Sequence, residues 1–230
     1  MRKPDATATP VAPKVGDGLS VADRDALLDD PEWARLQVGA DLTGEVIRHL
    51  DIAECRMTNA RFVGCDLQGA RLVDVVLTGC DLSGALLQDA VLTRVEMRDC
   101  RLSGLVLNGS KLRDVNIVDC RADSLGLRAV AAERLTCQGI LMPTSDLASA
   151  NLKATRVFDC DLTGSDISNL VCDDVRLHGS TLAGLRGVSS LRNVAIDPEQ
   201  MLDIAANFLA AHNIELDPER ERTRARTNST

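Results

Sequence analysis

The sequence predicts an all-β fold: a four-sided β-solenoid of about seven coils that ends in a short α-helix. Three observations carry this prediction. First, every fifth position from Leu42 to Leu182 is apolar at all 29 sites, among them Ile47, Met57, Phe62, Leu102, Ile117, Cys137, Met142 and Cys172. Second, a companion series two residues earlier, Ala40 to Ser180, holds Ala, Cys, Val, Leu or Ile at 23 of 29 sites. Its exceptions are Glu45, Thr155 and four serines. Third, 35 of the 36 charged residues between Ala40 and Arg186 fall on the other three phases, and Glu45 alone falls on an inward one. A helix repeats near 3.6 residues and a strand at 2, so neither accounts for a period of five.

Each five-residue unit points two alternate residues inward and then turns. Eleven of the 29 sites two residues after a centre are Gly, and Asp74, Asp89, Asp99, Asp114 and Asp119 take the same place. Gly adopts turn dihedrals freely, and Asp hydrogen-bonds its own backbone in turns. Cys80, Cys100, Cys120 and Cys160 recur at multiples of 20, with Ile140 in the gap, which puts four units in a coil. Stacking at roughly 4.8 Å per coil gives a rod about 35 Å long. The frame holds through the irregular stretch 121–146, where Leu127, Ala132, Cys137 and Met142 stay in phase.

The flanks follow in order. Residues 1–18 are rich in Pro, Ala, Thr and Gly and are expected to be a disordered tail. Residues 19–39 form an N-terminal cap, with a short helix expected over Leu19–Leu28 and a turn at Asp30–Pro31. Leu36, Val38, Ala40 and Leu42 alternate and lead into the first coil, and Trp33, the only Trp, is expected to cover its open end. The repeat occupies residues 40–186. In 187–216, Asp197, Pro198 and Gln200 mark a helix start, and the helix is expected to run from Pro198 to about Ala211. Met201, Leu202, Ala205, Phe208 and Leu209 form its apolar stripe, which either plugs the last coil or pairs with a second copy. Ile214 and Leu216 are read as a short extended piece, and 217–230 as a polar disordered tail.

Composition narrows the function. The net charge of −8 argues against direct nucleic-acid binding through a basic patch. No run of 18 apolar residues exists for a membrane helix, and the N-terminus lacks the apolar stretch of a signal peptide, so a cytoplasmic address is expected. All eight Cys fall on inward phases without C-x-x-C pairs or nearby His, the pattern of small buried hydrophobes. No catalytic motif, metal set or cofactor motif is present: His49 and His178 fall on outward phases, and His212 ends the last helix. The expectation is a protein without enzymatic activity or cofactor.

The units "ADLTG", "CDLQG", "CDLSG", "ANLKA" and "CDLTG" resemble the pentapeptide-repeat family. The resemblance covers residues 40–186, and the end of the chain is similar to actinobacterial members. It implies a right-handed quadrilateral β-helix. It also implies a partner, because the best-known members mimic B-form DNA and bind DNA gyrase or topoisomerase IV, protecting them from quinolones or toxins. Relatives of that type often dimerise end to end, which implies a homodimer through the C-terminal helix. The alternative function is a scaffold for protein–protein contacts.

Charge tests the mimicry. The repeat has 20 acids and 16 bases, and no side is strongly acidic when residues are sorted at a period of 20. Two local clusters stand out: Asp51, Glu54 and Asp74 near the start, and Asp159, Asp161, Asp166, Asp173 and Asp174 near the end. The second is the candidate partner surface, with Phe158 beside it on an outward phase.

Overall fold

In the computed structural model, which describes residues 9–215, the backbone turns a corner every five residues. All 29 positions two residues after a centre, from Gly44 to Gly184, have positive φ. Eleven are Gly and 18 are not. A side chain in this region costs about 1–2 kcal/mol, so the corner is imposed by the stacked coils as well as by glycine.

The flank contributes β1 (Ser20–Ala22), α1 (Arg24–Asp29), β2 (Glu32–Ala34) and β3 (Leu36–Val38). The first coils add β4 (Asp51–Ala53) and β5 (Arg56–Thr58). Six eight-residue strands follow: β6 (Arg71–Thr78), β7 (Val91–Arg98), β8 (Lys111–Val118), β9 (Ala131–Gln138), β10 (Asn151–Phe158) and β11 (Val171–His178). Each bends over one corner of the rod. Then come β12 (Val194–Ile196), a 3₁₀ turn at Pro198–Gln200, and α2 (Met201–Ala211).

All strands pair in parallel, and β6 to β11 pair at a register of 20 residues. The other two sides carry single bridges at the same register, from Asp41↔Arg61 to Asp166↔Arg186. The four-sided β-solenoid is therefore the observed fold, but with about nine turns rather than seven. The extra turns come from the flanks: ten strands stack on one side, with β1 and β3 below the repeat and β12 above it. Nine intervals make a rod of about 43 Å. The flanks join because end rungs with unpaired backbone groups need partners.

Inward residues stack in columns. One runs from Trp33 through Ile52, Leu72, Leu92, Leu112, Ala132 and Leu152 to Cys172. Trp33 is buried, donates from its indole to the Leu27 carbonyl at 3.0 Å, and packs on Phe62. All eight Cys are buried and free. The polar exceptions to the inward pattern have hydrogen-bond or ion-pair partners. Ser110 donates to the Leu87 carbonyl at 2.8 Å and accepts the Ala90 N–H at 3.0 Å. Ser145 donates to the Met142 carbonyl at 2.8 Å. Glu45 pairs with Arg24 of the cap helix.

Three expectations change. The cap helix begins at Arg24, because the Asp23 side chain accepts the Ala26 N–H and ends the extended segment that pairs with β3. Residues 9–18 differ from the expected tail in part: the Val11 and Lys14 N–H groups bond to Asp114 and Asp74 on the rod. At the other end, the 3₁₀ turn and α2 meet the rod through polar side chains, with Ile204 packed against the core beside them. Gln200 donates to the Ser180 carbonyl at 2.6 Å, Asn207 donates to the Leu182 carbonyl at 2.7 Å, and Asp203 accepts the Leu182 N–H at 3.3 Å. The last coil presents unpaired backbone groups, and polar side chains satisfy them where an apolar plug would not. The expected tails at 1–8 and 217–230, and Leu216, lie outside the described residues.

Candidate partner-binding surface

Stacking at a register of 20 places outward side chains over their counterparts one coil away, so charges meet as vertical neighbours. Arg71 lies 4.0 Å from Asp51, Arg61 3.7 Å from Asp41, and Arg186 3.7 Å from Asp166. Other pairs reach diagonally across 18 residues: Arg48 with Asp66, Arg128 with Asp146, and Arg156 with Asp174.

The corner bridged by β6–β11 holds the most enclosed pairs. Asp74 accepts two bonds from Arg94 at 2.6 Å each, and Asp114 accepts two from Arg134 at 2.6 and 2.9 Å. Both carboxylates are buried. The Arg94 and Arg134 hydrogen bonds hold Asp74 and Asp114, respectively, below the usual aspartate range. Of the first expected acidic cluster, Asp74 is thus enclosed, while Asp51 and Glu54 are exposed. Asp74 is enclosed by Arg94 and Lys14, and Asp51 has Arg71 beside it.

The five acids near the end do not form one patch. Asp159 sits at the corner after Val157, Asp161 on the side of Leu162, Asp166 on the side of Ile167, Asp173 on the side of Cys172, and Asp174 at the corner after it. They ring the rod because each five-residue step turns a corner. Several are engaged. Asp161 accepts the Thr163 N–H at 2.9 Å, Asp174 pairs with Arg156, and hydrogen bonds from Ser168 pull the Asp166 carboxyl down from its usual range. Phe158 stacks on His178 with ring centroids 5.9 Å apart. The His178 Nδ1 lies 2.6 Å from Asp197, which also accepts the Gly179 N–H.

A corner column escaped the sorting by sides. Asp99, Asp119 and Asp159 occupy the same corner at multiples of 20, all exposed, and none is in an ion pair among the described residues. In the coil above Asp119 the corner residue is Gly139, where a Cβ would lie 2.5 Å from the Asp119 carboxylate. The signal was legible as the corner phase read at a period of 20 rather than as whole sides.

At the C-terminal tip, Met201 and Leu202 are 63% and 74% exposed and Phe208 is 45% exposed. Ala205 is exposed beside them, while Leu209 is half-buried. Four of the five stripe residues therefore face outward, while Leu209 is half-buried and the neighbouring Ile204 packs against the core.

Among the described residues there is no group of three or more His, Cys, Asp or Glu placed to hold a metal ion. No described helix is long and apolar enough to cross a membrane.

A comparison with curated protein sequences finds no match. Among solved structures, a trypsin-treated variant of QnrB1, a plasmid-mediated fluoroquinolone resistance protein, is 20% identical. That match covers 75% of this chain and 97% of that one, with a TM-score of 0.43. HetL from the cyanobacterium Nostoc, a pentapeptide repeat protein involved in heterocyst differentiation regulation, is 17% identical. It covers 76% of this chain and 94% of its own, with a TM-score of 0.25. The family model for pentapeptide repeats matches in 8 copies, over residues 38–79, 55–94 and 80–119. With that match, and with the same five-residue corner continuing unbroken to Gly184, the chain belongs to the pentapeptide-repeat family.

Proposed function

We propose that this protein is a non-catalytic, cytoplasmic binding protein that engages DNA gyrase or topoisomerase IV as a partial DNA mimic and modulates or protects it. The observation that carries the reading is the exposed carboxylate column Asp99, Asp119 and Asp159 on a loop-free rod. Its spacings are one coil and two coils, about 5 and 10 Å. B-form DNA carries a charge per roughly 1.7 Å of axis, or about eight over the same span. Three carboxylates in that length make the mimicry partial. The outward apolar stripe of α2 supports a homodimer joined at the C-terminal tips, which would double the rod and bring the acids Asp159, Asp161, Asp166, Asp173 and Asp174 of two copies toward its centre.

A scaffold is the second reading, favoured by the vertical and diagonal ion pairs that neutralise much of the surface. A gyrase supercoiling assay with and without ciprofloxacin separates the two. Inhibition or drug protection that is lost with Asp99, Asp119 and Asp159 changed to Asn supports mimicry. No effect of the wild-type protein at large molar excess over gyrase from the same organism leaves the scaffold.

A further inference from the structure

The segment from Thr9 to Lys14 reads "TPVAPK". Pro10 and Pro13 fix their own φ, and each disfavours helical dihedrals in the residue before it. A chain so constrained favours the polyproline II helix, with three residues per turn and about 3.1 Å per residue. Groups three residues apart then lie on one face, about 9 Å apart.

The rod matches this spacing. The Val11 N–H donates to Asp114 Oδ1 at 3.0 Å, and the Lys14 N–H donates to Asp74 Oδ1 at 2.8 Å. The donors are three residues apart and the acceptors are two coils apart, about 9.6 Å. One turn of the extended segment therefore spans two coils. The two acceptors are also built alike. In each, the Arg one coil further on donates from Nε to Oδ1 and from Nη2 to Oδ2, Arg94 to Asp74 and Arg134 to Asp114. The carboxylates are thereby held in place before a peptide arrives. Val11 is 50% exposed, so the segment is held through its backbone more than through that side chain. A narrow space of about 140 Å³ remains between the arm at Thr9, Val11 and Pro13 and the rod at Glu96, Asn116 and Thr136.

We infer that Asp74, Arg94, Asp114 and Arg134 form a binding site for extended, proline-spaced peptide segments, and that residues 9–15 are its resident and displaceable occupant. The ligand class is a Pro-X-X-Pro stretch with N–H groups on the residue after each proline. The site reads the backbone at a two-coil interval, and an incoming segment of the same pattern competes with the arm. The inference goes beyond topoisomerase binding and does not depend on it.

The test uses the full chain and a fluorescently labelled peptide of residues 9–17. Val11→Pro with Lys14→Pro removes both donating N–H groups while suiting the extended conformation. The labelled peptide is expected to bind this double variant at least tenfold more tightly than the wild type, because a tethered arm competes at roughly millimolar effective concentration. Ala12→Pro, which removes an N–H that has no bond to the rod, is expected to leave peptide binding at the wild-type level. A peptide carrying V11P and K14P is expected not to bind. In the wild-type chain, the Val11 and Lys14 amides should exchange with solvent at least tenfold more slowly than Ala12. Equal affinity for wild type and double variant, no binding to either, binding of the doubly substituted peptide, or unprotected amides would each overturn the inference.

Discussion

Replacing Asp114 with Ala probes the corner that supports both the rod and its arm. The carboxylate receives two bonds from Arg134 and one from Val11, and the Asp114 and Arg134 side chains are only 6% and 18% exposed. Removing one partner of a buried pair costs about 3–5 kcal/mol. Arg134 keeps Glu133 at 2.8 Å, which lowers the expectation to about 2–3 kcal/mol. At about 2–4 °C per kcal/mol for a chain of this size, the melting temperature should fall by roughly 5–10 °C. Arg134→Ala should cost a similar amount. The double variant should cost less than the sum by at least about 1 kcal/mol, because one interaction is lost twice in the sum. Arg61→Ala is the control: its contact with Asp41 is 3.7 Å long and the Arg side chain is 55% exposed, so a change under about 1 kcal/mol is expected.

The acid limb gives the same pair a second signature. The folded-state pKa of Asp114 lies below its unfolded value of about 3.9. The carboxylate's contribution is therefore fully present above about pH 3.9 and is lost as pH falls through the folded-state value. The gap between wild type and Asp114→Ala should narrow over that window. Thermal melts from pH 7 downward, with amide exchange in residues 111–134 as a local probe, measure both effects. A melting temperature within 1 °C of wild type, or a strictly additive cycle, would refute the enclosed-pair reasoning.

Two further predictions concern the C-terminal tip. Leu202→Glu combined with Phe208→Glu should convert a dimer to a monomer in light scattering, with stability changed by no more than about 0.5 kcal/mol because both residues face outward. A wild-type chain that is already monomeric at high concentration would remove the dimer. Asn207→Leu should cost about 1–3 kcal/mol by leaving the Leu182 carbonyl without its partner. Faster amide exchange should be confined to residues 181–188, and uniform loss of protection along the rod would contradict that local role.

The repeat was legible because it is a one-dimensional pattern. Leu42, Leu82 and Leu162 each meet apolar residues of the same phase one coil away, so their spacing alone encodes both the inward phase and the corner. The inward serines, Thr155 and Glu45 broke that pattern: Ser145 and Thr155 bond to carbonyls three and two residues before them, but Ser110 bonds to a carbonyl 23 residues away and Glu45 to the cap helix. The helix at the tip was legible in its position but not in its contacts. An apolar stripe normally marks the buried face, but here Gln200, Asp203 and Asn207 carry the contact. Their spacing of three and four residues was visible, while the unpaired backbone they satisfy was not.

By itself the sequence determined a cross-section: two residues in, three out, a corner after each centre, four units to a coil. Steric alternation and burial of apolar area are local properties, repeated until they are unmistakable. Tertiary structure decided how coils share charge, where the rod stops, and what lies along its outside. Asp74 and Asp114 become one site only when two coils stack between residues 40 apart in sequence, and only then do they stand at the pitch of the arm that reaches back to them.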